Sequence, residues 1–135
     1  MYKHVLVPVA LDHEGLVDRK IELARNLLSE GGKITLLTVL EDVPGFVAEF
    51  VTVKEANHLS AQVKGKLDEL AKGSDNVATD VVTGKAGVRI VQYASEKDID
   101  LIVVGSHAPG IQDYFLGSTA ARVARRAPCS VHIVR

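Results

Sequence analysis

The stretch LIVVGSHAPGIQDYFLGST, residues 101–119, joins a continuous apolar run to an alanine-rich segment with helical spacing. An uninterrupted apolar run such as 101–104 is typical of a strand buried on both faces, as in a parallel sheet. The residues after it are rich in glycine, serine and proline, and the cluster Gly117-Ser118-Thr119 closes them. The stretch therefore predicts a strand, a loop and the start of a helix, in which the loop either cradles phosphate groups or only turns the chain.

The same change from apolar run to helical spacing occurs along the whole chain. Apolar runs predict strands at 5–9, 34–40, 77–83, 101–104 and 130–134. Apolar stripes predict helices between them: one over residues 16–30 that ends at Gly31-Gly32, one with Leu59, Val63, Leu67 and Leu70 inward that ends at Gly73, one marked by Val88, Val91 and Ala94, and one with Ala120, Val123, Ala124 and Ala127 inward. Residues 41–53 lack clear periodicity and predict a flexible or lid-like connection.

The predicted elements alternate strictly between strand and helix. Alternation of this kind indicates an α/β fold, a doubly wound five-stranded parallel sheet with helices on both faces, and here one domain over residues 1–135. In the order 3-2-1-4-5 the winding reverses between the first and fourth strands, and ligands bind beyond the carboxyl ends of the strands at that point. Two loops would meet there, residues 8–12 and the 105–119 stretch.

Composition excludes several classes of function. The chain has 16 basic and 17 acidic residues and a net charge of −1, so it offers no general attraction for nucleic acid or for an anionic membrane. No apolar run approaches the length that spans a bilayer, and the first residues lack the pattern of a signal peptide. The single cysteine, Cys129, excludes an intramolecular disulfide and is expected to be a small buried residue. These features predict a cytoplasmic protein.

The two ends of the 105–119 stretch are candidate ligand contacts. Ser118 or Thr119 is expected to be the N-cap of the last helix, which alone would explain the residue types. At the switch point, however, a helix start with a nearby glycine also favours phosphate binding. Gly105 would let a flat base or a ribose lie against the strand end, and His107 would either donate to a phosphate or cap the loop.

Signatures of several enzyme classes are absent from the sequence. Gly84-Lys85-Ala86 lacks the remaining residues of a P-loop, and neither a G-x-G-x-x-G fingerprint nor a G-x-S-x-G elbow occurs. A phosphorylated receiver domain needs an aspartate where the third strand ends, but this chain has Thr83 there. The other histidines lack metal-ligand spacing, and the arginines at 122, 125 and 126 are expected to face solvent and complement the helix dipole. No catalytic residue and no metal site are predicted.

The last predicted strand, residues 131–134, is apolar on both faces and would lie at the edge of the sheet. A bare apolar edge pairs readily with another chain, which favours a symmetric homodimer through residues 130–134. The alternative is that the C-terminus simply ends the sheet.

Six segments together resemble the universal stress protein family, and they cover essentially the whole chain: residues 4–9, 36–39, 83–86, 100–107, 116–119 and 127–131. The most specific are Leu116-Gly117-Ser118-Thr119 and Ala127-Pro128-Cys129-Ser130-Val131. The resemblance implies the adenine nucleotide alpha hydrolase-like sheet, a homodimer through the last strand, a role in stress response and, in one branch, bound ATP or AMP with or without Mg²⁺.

The nucleotide-binding branch of that family carries a G-x2-G-x9-G-[S/T] pattern, which this chain matches in part. Gly105 and Gly117-Ser118 match the ends, whereas Ala108 replaces the second glycine, Gly110 stands nearby and the loop is one residue shorter. Ser106-His107-Ala108-Pro109 resembles a known variant within the family. An acid that binds the ribose in nucleotide-binding members is replaced by Ala10, with Asp12 two positions later.

Carried over by position, the resemblance implies a set of nucleotide contacts and no catalytic residue. Val9 and Val39 would flank the adenine beside Pro8, Ala10 and Asp12, whereas ribose and phosphates would be held by Gly105, His107, Gly110, Gly117, Ser118 and Thr119. Two alternatives stay open. The altered loop has lost the nucleotide and the protein acts through a partner, or the protein hydrolyses ATP slowly with His107 near the phosphates.

Overall fold

The computed structural model describes residues 1–10, 16–41, 53–106 and 116–135, without the side chains of 53–57. The strands are β1 (Tyr2–Pro8), β2 (Leu28–Leu40), β3 (Val77–Thr83), β4 (Leu101–Gly105) and β5 (Ser130–Val134). The helices are α1 (Val17–Leu27), α2 (Val53–Ala71), α3 (Ala86–Glu96) and α4 (Ser118–Arg126). Most of residues 41–53, where a lid-like connection was expected, lies outside the described residues.

The strands form one parallel sheet in the order β3-β2-β1-β4-β5, as the alternation predicted. β1 lies at its centre, with Pro8 opposite Leu37 of β2 and Leu6 opposite Ile102 of β4. β5 lies at one edge, where Gly105 of β4 pairs with Val134. The winding therefore reverses between β1 and β4, and the ends of these two strands lie side by side at what we call the carboxyl edge.

Alternate residues of the central strands feed two separate cores, one on each face of the sheet. Val5 and Val7 pack with Val17 and Ile21 of α1 and with Leu67 of α2. The opposite core joins three groups of buried residues, Leu6, Leu37 and Ile102 of the sheet, Ile90 and Tyr93 of α3, and Ala120 and Val123 of α4. Because both faces are covered, the strands read as continuous apolar runs in the sequence. No helix in the described ranges is long and apolar enough to span a bilayer.

The first helix ends earlier than its sequence predicts. The expected end at Gly31-Gly32 is wrong, because Leu28 is already extended and begins β2, where it pairs with Tyr2. Gly31 has a φ of 79°, which glycine adopts without strain. At Gly32 a Cβ atom would come within 2.8 Å of the Leu28 side chain. The two glycines therefore shape the irregular start of β2 instead of ending the helix.

Two residues expected to face inward are exposed. Leu59 of α2 is 52% exposed, whereas Val63 and Leu67 of the same stripe are buried. Ala124 of α4 is exposed, whereas Ala120 and Val123 are buried. At about 100° per residue, Leu59 and Ala124 each lie at one margin of their apolar stripe, on the side away from the buried residues of the same helix. Cys129 is half-buried against the core of α3 and α4.

Candidate functional site at the carboxyl edge

The chain leaves β1 through a segment that hydrogen bonds fix firmly. The Val9 N–H donates to the carbonyl oxygen of Leu37 at 2.7 Å, and the Thr38 hydroxyl donates to the carbonyl oxygen of Val9 at 2.8 Å. Val9 is only 3% exposed, whereas Ala10, the next residue, is exposed. Both backbone groups of Val9 are thus used to hold Ala10 at the carboxyl edge.

The 105–119 stretch is closed at its base. The Ser106 N–H donates to the carbonyl oxygen of Val134 at 2.8 Å, which extends the pairing of β4 with β5 by one residue. The Gly117 N–H in turn donates to the carbonyl oxygen of Ser106 at 2.6 Å. The two small-residue ends of the stretch therefore lie within one hydrogen bond of each other. Three predicted contacts, Asp12, His107 and Gly110, lie outside the described residues.

The start of α4 is built differently from its sequence prediction. The N-cap is Gly117, in an extended conformation (φ −63°, ψ 159°), with no side-chain capping bond. The expectation that Ser118 or Thr119 caps the helix is wrong, because the Gly117 carbonyl already accepts the Ala121 N–H at 2.9 Å and draws both hydroxyl residues into the first turn. First-turn amides without a side-chain cap carry the positive end of the helix dipole, which suits an anion.

The strand register brings most of the described candidates to one edge. Since Pro8 pairs with Leu37, continuing the parallel register places Ala10 level with Val39 of β2. The side chains of Val9 and Val39, however, pack into the cores on opposite faces of the sheet. Through their side chains they cannot lie on the two sides of one adenine ring. Val39 is half-buried on the face of α3 and α4.

The sequence matches one family over its full length. A sequence model of the universal stress protein family matches residues 1–135. The chain belongs to that family. The universal stress protein G of Salmonella typhimurium is 31% identical over 147 residues, which cover all of both chains.

Solved structures of the family share the fold of this universal stress protein. UspA of Lactobacillus plantarum is 25% identical, with a TM-score of 0.74 over 99% of this chain and 98% of its own. A universal stress protein solved with cAMP is also 25% identical, with a TM-score of 0.70 over 99% and 97% of the two chains. Archaeoglobus fulgidus and Arabidopsis thaliana proteins solved with dAMP and AMP, at 18% and 16% identity and TM-scores of 0.64 and 0.62, share the fold.

A buried lysine, Lys20, lies behind the carboxyl edge and was not predicted from the sequence. The Lys20 ammonium, on α1, donates to the carbonyl oxygen of Pro8 at 2.6 Å, and the residue is only 7% exposed. Burial disfavours the charged form of the Lys20 ammonium and lowers its pKa from 10.5 to about 8. The apolar stripe of Val17, Ile21 and Ala24 contained the signal, because position 20 belongs to the same helical face. This universal stress protein thus places a cation directly beneath the segment that ends β1.

Two further features bear on ligands. Ser118 and Thr119 also line a groove of about 460 Å³ between α3 and α4. Within residues 1–10, 16–41, 53–106 and 116–135, no cluster of three histidine, cysteine or acidic side chains could hold a metal ion. Asp12, the carboxylate that the sequence offers for Mg²⁺, lies outside the described residues.

Proposed function

We propose that this universal stress protein binds an adenine nucleotide, AMP or ATP, at the carboxyl edge. One observation carries the proposal, the hydrogen bond from Gly117 to Ser106 that joins both ends of the 105–119 stretch beside the end of β1. Ligands bind at this position in doubly wound sheets. The family members solved with cAMP, dAMP and AMP support the choice of an adenine nucleotide.

The proposed contacts divide by chemistry. Uncapped first-turn amides and the hydroxyls of Ser118 and Thr119 suit phosphate oxygens, since both donate hydrogen bonds toward the positive end of α4. In the proposal, the backbone of Gly105 lies beside the ribose and the Val39 side chain contacts the base. A Cβ atom at Gly105 would come within 3.3 Å of the Leu16 Cδ1 atom, so the Leu16 side chain covers that side of the glycine. Pro8 and Val9 fix the segment from beneath.

The family resemblance assigns ribose and phosphate contacts to Asp12, His107 and Gly110, which we include as part of the proposal. When bound, Mg²⁺ would neutralise phosphate charge, with Asp12 as its candidate protein ligand. We propose binding without turnover, in which the nucleotide stabilises one state of the protein as a sensor of stress. The cytoplasm, where adenine nucleotides are abundant, is the proposed location.

The phosphate contact can be tested with one charge at the start of α4. Ser118→Glu places a carboxylate where the dipole tolerates it but where it repels phosphate, so we expect folding to be kept and AMP affinity to fall by about tenfold or more. Ser118→Gln, equal in size to the Glu variant but uncharged, is the matched control: it also loses the hydroxyl contact, and it should bind AMP more tightly than Ser118→Glu because it does not repel phosphate. Isothermal titration calorimetry on nucleotide-free protein measures both. Equal AMP affinity in the Glu and Gln variants, or no binding by the unaltered protein at millimolar AMP, would refute the proposal.

A homodimer through β5 is the second part of the proposal. β5 is an edge strand in the sheet of one chain, and Val131, His132 and Ile133 are each only half-buried there. An apolar strand edge that is covered by a second copy avoids unspecific pairing. Light scattering after size exclusion should give twice the mass of the 14.5 kDa chain. A stable dimer has a dissociation constant far below about 100 μM, so the mass of a single chain at that protein concentration would exclude the homodimer.

A further inference from the structure

A groove with four basic residues in its lining runs from the start of α4 along this helix to the first turn of α3. We call it the basic groove. It measures about 460 Å³, within the usual range for small-molecule sites. Among the described residues, its charged lining consists of Lys85, Arg122, Arg125 and Arg126, with Glu41 as the single acid. Four positive charges less one negative charge leave an excess of three, in a chain whose net charge is −1.

None of the four basic side chains makes an ion pair or a side-chain hydrogen bond within the described part of the chain. Arg122 is held in place by its stem, which lies on the first turn of α3. A Cβ atom at Gly87 would come within 3.0 Å of the Arg122 Cδ atom. The glycine thus lets the aliphatic part of Arg122 pack against α3, and Arg122 also lines the groove.

The helix dipole explains only part of this arrangement. Arg125 and Arg126 lie in the last turn of α4, where positive charge is favoured. Arg122 lies in the middle of α4 and Lys85 immediately before α3, at the end where a dipole disfavours a cation. The placement of Lys85 and Arg122 in one groove favours the binding of an anion.

Glu41 already supplies one negative group to the groove. At the end of β2, its carboxylate accepts the Ala86 N–H at 3.1 Å and so satisfies an amide at the start of α3. The remaining positive excess is unneutralised among the described residues. An incoming ligand would therefore be attracted by the basic side chains and repelled by Glu41.

We propose that the basic groove binds linked phosphate groups, namely the distal phosphates of a nucleotide whose first phosphate lies at the start of α4. The inference rests on the proposed function, because Ser118 and Thr119 line the groove as well as the proposed site. A monophosphate would contact only the start of α4, whereas a triphosphate extends along α4 toward Arg122. The basic groove thus selects ATP over AMP. A separate polyphosphate has the same chemistry, and the experiment distinguishes the two sources.

The experiment compares three ligands, ATP, AMP and inorganic tripolyphosphate, by calorimetry at low ionic strength. In Arg122→Gln and Lys85→Gln we expect ATP affinity to fall by about fivefold each, the upper range for an exposed charge pair, with AMP affinity within about twofold. Glu41→Gln should act in the opposite direction and strengthen ATP binding, because the amide oxygen still accepts the Ala86 N–H but no longer repels phosphate. The matched control is Arg25→Gln, which removes an exposed arginine of α1 on the other face of the sheet. The affinities for all three ligands should stay unchanged in this variant.

The outcomes separate this inference from the proposed function. If tripolyphosphate binds in an Arg122-dependent manner but neither nucleotide binds, the proposed function fails, and a free polyphosphate is the ligand of the basic groove. If AMP and ATP bind but neither affinity depends on Arg122 or Lys85, the proposal that the basic groove binds phosphates is refuted, whereas the proposed nucleotide site at the carboxyl edge is retained. Absence of binding by all three ligands, or equal losses for AMP and ATP in Arg122→Gln, also overturns the inference.

Discussion

The buried Lys20 makes the stability of the protein depend on pH in a defined way, and its replacement by methionine tests that dependence. The lowering of the pKa of Lys20 from 10.5 to about 8 corresponds to about 3 kcal/mol at 1.36 kcal/mol per pH unit. Below pH 8 the ammonium is charged in the folded and the unfolded chain, so the whole penalty is present. As pH rises toward 10.5 the folded chain loses the proton first, the unfolded chain binds more protons, and stability rises.

Lys20→Met removes this dependence together with the hydrogen bond to Pro8, which is worth about 1–3 kcal/mol for a buried acceptor. The two effects nearly cancel at pH 7, where we expect a small net change in the free energy of unfolding. Between pH 7 and pH 10 the original protein should gain about 2.5 kcal/mol relative to the variant.

Urea unfolding followed by circular dichroism at pH 7, 8.5 and 10 measures this difference. Lys66→Met, at an exposed position of α2, controls for the loss of one positive charge and of a lysine side chain. Groups that titrate in both proteins cancel in the difference. The original protein and Lys20→Met should thus differ in their free energies of unfolding by an amount that changes with pH. If this difference stays constant within about 0.5 kcal/mol across the range, Lys20 is not buried in its charged form beneath Pro8.

Four substitutions test the packing of the fold, each by chemical unfolding. Thr38→Val leaves the buried Val9 carbonyl without its hydroxyl donor and should cost about 1–3 kcal/mol. Gly84→Ala should cost about 1 kcal/mol or more, because the residue has a φ of 133° and a Cβ atom would come within 2.6 Å of a neighbouring arginine side chain, whereas Gly65→Ala within α2 should stabilise by about 0.5–1 kcal/mol. Leu67→Ala, at a fully buried position, should cost about 2–5 kcal/mol. A reversed order of the two glycine variants, or losses below about 0.5 kcal/mol for Thr38→Val or Leu67→Ala, would contradict the packing described.

The parallel sheet could be predicted from the sequence because the alternation of strands and helices follows from local patterns. Both faces of β1 and β4 are covered, so their residues form unbroken apolar runs, and the alternation with helices restricts the crossovers. The end of α1 could not be predicted in this way. Leu28 continues the helical pattern, but its pairing with Tyr2 draws it into β2, and tertiary pairing overrides local preference.

The site was predictable only to the level of the edge on which it lies. The predicted topology alone was enough to place the end of β1 near Gly105 and Gly117. The cap at Gly117 was missed because serine and threonine are the usual N-caps, and only the backbone conformation shows that they lie one position inside the helix. The basic groove was missed because packing between α3 and α4, and not sequence spacing, brings Lys85 close to Arg122.

The central claim, an adenine nucleotide at the carboxyl edge, can be tested at single residues by nuclear magnetic resonance. Titration of AMP into nucleotide-free, ¹⁵N-labelled protein should shift the backbone amide signals of Ala10, Gly105, Ser118 and Thr119. Amides at the far end of the sheet, such as that of Lys3 at the start of β1, should stay unchanged. Shifts confined to residues away from the carboxyl edge, or no shifts at millimolar AMP, would contradict the account.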